Sequence, residues 1–272
     1  GLPTWTCQAD LQFVIHAGHG EFPKVVVAPG DIAETFLLTR LAFEVAEKLH
    51  TQVYILCDKF LLESSQSIPR FSDTWTNERF GFASDVLPED NSFKRFAFTD
   101  DGVSPRSVPG QPHGLQLTNS YEHDEHGYAT EESEIAAAMI DKRLRKIELM
   151  RPLLPKPMLL GPEHADITFV EWGSTKFVIE EVIRQINAVH PNIVNAIHLQ
   201  TLMPFHADEF ELLAQQSTRL VMVEGNATHQ CEQLIREHTG IMMHDRINRY
   251  DGRPFFVEDI VAWVEQQHKG VE

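Results

Sequence analysis

Two short stretches set small and polar residues where a strand hands over to a helix. Gly173-Ser174-Thr175-Lys176 follows the β-branched run ITFVE (167–171), so backbone N–H groups and a helix dipole would face outward there. Glu224-Gly225-Asn226 stands in the same relation to RLVMVE (219–224). In open α/β sheets, ligands sit beyond the carboxyl ends of strands, so both turns fall on the edge where a ligand or a partner would bind. The phosphate-cradling nucleotide loop also needs a glycine five residues before Gly173, and that position is Thr168. Both turns therefore keep two readings, tight turning and capping, which weighs more, or ligand binding.

Other groupings carry less. His123-Asp124-Glu125-His126 crowds metal-ligand types together, and His16 with His19 makes a second pair, but neither has a zinc spacing. With 14 histidines in 272 residues, chance clusters are expected. A polar loop touching a neighbouring subunit outweighs a metal site. No GxSxG elbow, strand-borne GxGxxG or redox CxxC occurs. Cys7 could be acidified in an early helical turn, with a buried thiol as the alternative reading. The three cysteines are an odd count that fits a reducing cytoplasm.

The elements that would position these residues follow from periodicity. Residues 6–16 read as a helix, 24–28 (KVVVA) as a buried strand, and 53–57 (VYILC) as a second one. Between the strands, Asp31 is placed as an N-cap with Glu34 at capping-box spacing, ahead of a helix ending near Leu49. Residues 64–130 have no sustained period and read as an extended arm with aromatic anchors. A helix is expected over 131–150, then a proline-rich linker over 152–165. From 166 the alternation resumes, with strands at 167–171, 193–200 and 219–224. Helices are expected from 173 to 189, over 207–216, to about 238, and over 257–267. The fold class is therefore α/β, with a first part at 1–151 and a three-layer second part at 166–272. Residues 1–60 supply only two parallel strands, so an uncovered sheet edge is expected there.

A net charge of −17, from 40 acidic and 23 basic residues, disfavours nucleic acid and anionic lipid as partners. No run of about 18 apolar residues exists to span a membrane. The chain opens on Gly1 rather than Met, which reads as part of a longer product.

Several motifs in register resemble one family. Gly1-Leu2-Pro3-Thr4, Gln8-Ala9-Asp10-Leu11 and HGEFPKVVVAPG (19–30) are similar to the α subunit of 2-oxoacid:ferredoxin oxidoreductases. EHDEHG (122–127), EWGSTK (171–176), Pro204-Phe205, VEGN (223–226) and YDGRPF (250–255) continue the resemblance in order. The subtype it looks most like is the 2-oxoglutarate or general 2-oxoacid enzyme with a fused γ part.

The resemblance implies the back half of a thiamine-diphosphate-type pyrimidine-side domain. A transketolase-C-terminal-like domain follows, corresponding to domain II of pyruvate-flavodoxin oxidoreductases. It implies oxidative decarboxylation of a 2-oxoacid to an acyl-coenzyme A, with electrons passing to ferredoxin. Thiamine diphosphate and magnesium would be bound mainly by a β subunit, which would also carry the iron–sulfur cluster. The family's substrate-facing YPITPS-type motif, activating glutamate and arginine all precede its GLPT, so no catalytic residue is assigned here, and the segment is expected to be inactive alone. Thr4, with Gln8 and Asp10 beside it, is placed at the edge of the active site. For Gln8 and Asp10, helix capping is an equal alternative. His123 and Asp124 belong to the arm that would reach over that region. Expected partners are the β subunit, the preceding part of the same chain and, through the complex, ferredoxin, in a cytoplasmic hetero-oligomer. Alternatives from other classes are a non-catalytic subunit-docking module and another thiamine-diphosphate relative of sulfopyruvate or transketolase type.

Overall fold

β-Branched side chains pack well on a pleated surface, and Lys24–Val27 forms strand β1 with Val25, Val26 and Val27 buried. The computed structural model describes residues 2–72, 79–83, 86–90 and 92–269. Ahead of β1, helix α1 (Asp10–Ile15) is shorter than the 6–16 expected, because Gln8 is drawn across to the loop at 249–252. Asp31 caps helix α2 (Ile32–Leu49), its Oδ1 accepting from Glu34 N at 2.8 Å. Strand β2 (Gln52–Ile55) returns parallel to β1, with Val53 beside Val25. A short helix α3 (Lys59–Glu63), capped by Asp58, was not foreseen because five residues carry no readable period.

Residues 64–130 contain no named helix or strand where described. Isolated bridges, Phe82 with Arg106 and His123 with Ala129, tie this arm together. Helix α4 (Ser133–Met150) then packs on α2 and runs into a single 3-10 turn (Arg151–Leu153).

The second sheet has the order β3-β5-β4-β7-β8. Strands β4 (Ile167–Trp172), β5 (Val194–Leu199), β7 (Leu220–Glu224) and β8 (Asp245–Asn248) are parallel, and β3 (Met158–Leu160) runs antiparallel along the edge of β5. Helices α5 (Thr175–Val189) and α8 (Val257–Lys269) cover one face, burying Ile179 and Val182 with Ile260 and Val264. Helices α6 (Ala207–Ala214) and α7 (Gln230–Thr239) cover the other, joined there by Leu11 of α1. This is the three-layer arrangement expected from the alternation.

The expected uncovered edge of β1 is corrected by the chain itself. Strand β6 (Thr201–Met203) leaves β5 after one residue and pairs antiparallel with β1, giving a first sheet of order β2-β1-β6. Ala28 N donates to Gln200 O at 2.8 Å. One continuous run, 194–203, therefore serves both sheets. Val26 and Ala28 consequently share a core with Val170, Ile197 and Leu199.

Candidate functional site

The strand ends do converge on one cleft. It has a volume of about 730 Å³ and lies between the ends of β2, β4 and β7, the segment 252–256 and the N-terminal segment 5–11. Gly173 and Ser174 line one wall, Gly225 and Asn226 another, and Trp5, Phe60, Trp172 and Phe256 supply aromatic surface. The two strand–helix turns singled out in the sequence thus meet at the same site. Its polar groups are largely committed to one another. Asp58 Oδ1 accepts from Leu61 N at 2.8 Å, and its Oδ2 takes the Ser174 hydroxyl. Lys59 Nζ donates to Thr4 O at 2.6 Å and sits 4.9 Å over the Trp5 ring, while Arg253 covers that ring at 3.6 Å.

Behind the β4 turn lies a network of buried charges that joins the two sheets. Lys176 Nζ donates to Asp31 Oδ2 and Glu34 Oε1, both at 2.5 Å. Glu34 Oε2 accepts from Gly30 N at 2.6 Å and contacts His198 Nε2 at 3.1 Å. His198 Nδ1 contacts Glu171 Oε1 at 2.7 Å. Glu34 has therefore turned away from the reciprocal capping contact and into the interior. Burial works against a charged His198, but Glu171 and Glu34 outweigh it and hold the imidazolium up to about 10. Burial likewise opposes ionisation of Glu34, and the bonds from His198, Lys176 and Gly30 N overcome it, drawing its carboxyl down to about 2. Glu171, fully buried, is pushed up by desolvation despite His198.

The Glu224 turn is a cap. Burial raises the Glu224 carboxyl, which accepts from Asn226 Nδ2 at 2.7 Å and Cys231 N at 2.9 Å. Asn226 Oδ1 in turn takes Gln230 N at 3.1 Å. These bonds satisfy the first N–H groups of α7, so the capping reading accounts for this motif.

The family described as pyruvate flavodoxin/ferredoxin oxidoreductase, thiamine diphosphate-binding, matches residues 1–142, just over half of the 272. The chain belongs to that family. Among its relatives, the α subunit of 2-oxoacid:ferredoxin oxidoreductase 1 from Sulfurisphaera tokodaii is 32% identical over 263 residues, covering 96% of this chain and 41% of the relative. The α subunit of 2-oxoacid:ferredoxin oxidoreductase 2 from Aeropyrum pernix is 33% identical over 273 residues, covering 98% and 41%. A solved 2-oxoglutarate:ferredoxin oxidoreductase from Magnetococcus marinus, with 2-oxoglutarate, coenzyme A and succinyl-CoA bound, superposes with a TM-score of 0.88 at 28% identity. That match covers 98% of this chain and 46% of the solved one. The chain thus spans about two fifths of the length of these curated relatives.

In this oxidoreductase-family chain the residues singled out from sequence fall in two places. Gln8 and Asp10 line the cleft. Gln8 straps it shut at one end, its Nε2 donating to Arg249 O at 3.0 Å and its Oε1 accepting from Gly252 N at 2.7 Å. Asp10 begins α1. Thr4 stands beside the cleft with a left-handed φ of 64°, presenting its carbonyl to Lys59; Gly1 of the same motif lies outside the described residues. His123 and Asp124 are not among the residues that line the cleft. Asp124 Oδ1 collects the N–H groups of His126, Gly127 and Tyr128, and the His123 ring packs on Phe96 at 4.2 Å. Sequence reading missed the pairing of Lys176 with Asp31 and Glu34. The signal was present as two acids at a helix start facing a lysine at another, but 142 residues separate Glu34 from Lys176.

Proposed function

We propose that the chain is the α-subunit portion of a thiamine-diphosphate-dependent 2-oxoacid:ferredoxin oxidoreductase that converts 2-oxoglutarate to an acyl-coenzyme A. The observation that carries this reading is the superposition on the 2-oxoglutarate enzyme over 98% of the chain. Further support comes from relatives named as 2-oxoglutarate synthase subunits, such as that of Methanocaldococcus jannaschii at 23% identity.

Among the described residues, no three His, Cys, Asp or Glu side chains converge as metal ligands. In this reading a β subunit holds the diphosphate and its magnesium, together with the iron–sulfur cluster. The role left to this chain is to wall the active-site region. Its cleft supplies aromatic surface and a turn held in place by the Lys176 and His198 bonds, at the edge marked by Thr4, Gln8 and Asp10. The preceding part of the longer chain supplies the substrate-facing motif, and ferredoxin takes the electrons in the cytoplasm.

The test is anaerobic ferredoxin reduction by the full chain assembled with its β subunit, given coenzyme A and a 2-oxoacid. The expected kcat/KM for 2-oxoglutarate exceeds that for pyruvate by about tenfold or more, a difference of about 1.4 kcal/mol. The isolated 272 residues are expected to show no turnover. An assembly that oxidises no 2-oxoacid would favour the docking-module reading. Preference for pyruvate would remove 2-oxoglutarate but leave the reaction class.

A further inference from the structure

An acidic chain has carboxylates to spare for its buried cations, yet at one junction the cations outnumber the carboxylates among the described residues. Where α4 and the arm close over the C-terminal end of α2, Lys142 and Lys146 are 5% and 8% exposed. Lys142 Nζ donates to Phe96 O at 2.6 Å, and Lys146 Nζ donates to Leu49 O and His50 O, each at 3.1 Å. All of these acceptors are neutral carbonyls, and each ammonium keeps donor capacity. Arg95 lays its guanidinium over the Phe96 ring at 5.2 Å and makes no ion pair among the described residues. Glu47 holds Arg106 through Nη2, but the Arg106 Nε is buried without an acceptor. His50 Nε2 is also buried and unpartnered. Gly81, whose carbonyl accepts from Arg106 N at 2.8 Å, approaches the His50 ring so closely that a Cβ there would stand 2.7 Å from His50 Nε2.

The charges act on one another. Burial first, then Arg95, Arg106 and Lys146, hold the His50 imidazole down to about 4 against the pull of Glu47. Burial and the neighbouring cations bring Lys142 and Lys146 down to about 8. Burial and Arg106 also lower Arg95. Desolvated cations of one sign are costly unless a counter-charge completes them. The carboxylates nearby are already engaged: Glu47 is shared between Arg106 and Arg79, Glu122 holds Arg143, and Glu125, which pulls Lys142 upward, holds Lys94. A forked guanidinium beside ammonium groups is the donor chemistry that recognises a tetrahedral oxyanion.

We propose that this junction of the arm, α2 and α4 binds a phosphoryl group, free or carried on an organic molecule, with Arg95 as its forked donor. The site is separate from the cleft: none of Arg95, Arg106, Lys142 and Lys146 lines it.

Calorimetric titration of the full chain, in its assembled form, tests the assignment with inorganic phosphate and, separately, adenosine 3′,5′-bisphosphate. The two arms distinguish free from carried phosphate. Saturable binding of at least one is expected, with a higher melting temperature and an upward shift of the His50 titration in histidine-labelled NMR spectra. Arg95→Gln is expected to weaken that binding about tenfold or more while leaving the ligand-free melting temperature unchanged or higher, since it removes a repelling charge. A purely structural Arg95 would instead lower the ligand-free melting temperature. Lys156→Gln, which loses only an exposed pair with Glu209, is the control and should change nothing. Absence of saturable binding by both ligands, or binding indifferent to Arg95→Gln, overturns the proposal.

Discussion

His198 illustrates how much a single buried group can do when its partners come from distant parts of the chain. Its two ring nitrogens face carboxylates from β4 and α2, and Lys176 balances Glu34 and Asp31 from α5. Because its folded value, about 10, lies above its ordinary 6.5, its contribution to stability is complete below pH 6.5 and is lost as pH rises through about 10. Glu34 works in the opposite direction. With a folded value of about 2 against an ordinary 4.5, its contribution is present above 4.5 and lost as pH falls through 2. The stability of the joined sheets, where both groups lie, should therefore show a plateau between about pH 4.5 and 6.5 and a decline on the alkaline side when their thermal unfolding is followed against pH. His198→Gln should flatten that alkaline decline. It should also lower stability by about 3–5 kcal/mol near neutrality, the cost of leaving one partner of a buried pair uncompensated. An alkaline decline of equal size in His198→Gln would place the titrating group elsewhere.

At the scale of elements, legibility tracked length and period. The β-branched run of β1, the Asp31 cap and the long amphipathic helices α2, α4 and α5 were readable because each carries its own local signal. Strands β3, β6 and β8 were not, since three or four residues have no period, and each exists through a neighbour that sequence alone does not show. The cleft was half legible. Its two strand–helix turns were placed on the correct edge, whereas the buried charges behind them depend on contacts spanning well over a hundred residues. The Glu224 turn carries a prediction of its own. Glu224→Ala removes the acceptor for Cys231 N and Asn226 Nδ2 in a buried place, so stability should fall by about 1–3 kcal/mol. Amide exchange should show the loss first at the start of α7. Protection unchanged at Cys231 would mean that Glu224 is not the cap.

The whole molecule depends on two closures of different kinds. Strand β6 joins the sheets through backbone pairing and an apolar core that includes Val26 and Leu202, beside the Lys176–Glu34–His198 network, whose contribution is complete between about pH 4.5 and 6.5. The arm, by contrast, is fastened to α4 by Lys142 on the Phe96 carbonyl and to α2 by Arg106 on Glu47, around His50. His50 has a folded value of about 4, below its ordinary 6.5, so the undocked state binds an extra proton between those values. Arm docking should consequently weaken as pH falls from about 6.5 to 4, while the sheets stay joined. Limited proteolysis across that range is the measurement: cleavage within 64–130 should accelerate toward pH 4, with the core at 166–269 left intact. His50→Asn, which cannot take up the proton, should suppress the acceleration. Cleavage rates that rise equally in that variant would assign the acid sensitivity to the arm's carboxylate pairs, Glu122 with Arg143 and Glu125 with Lys94. The pH dependence of the arm would then be a property of surface pairing rather than of the buried junction.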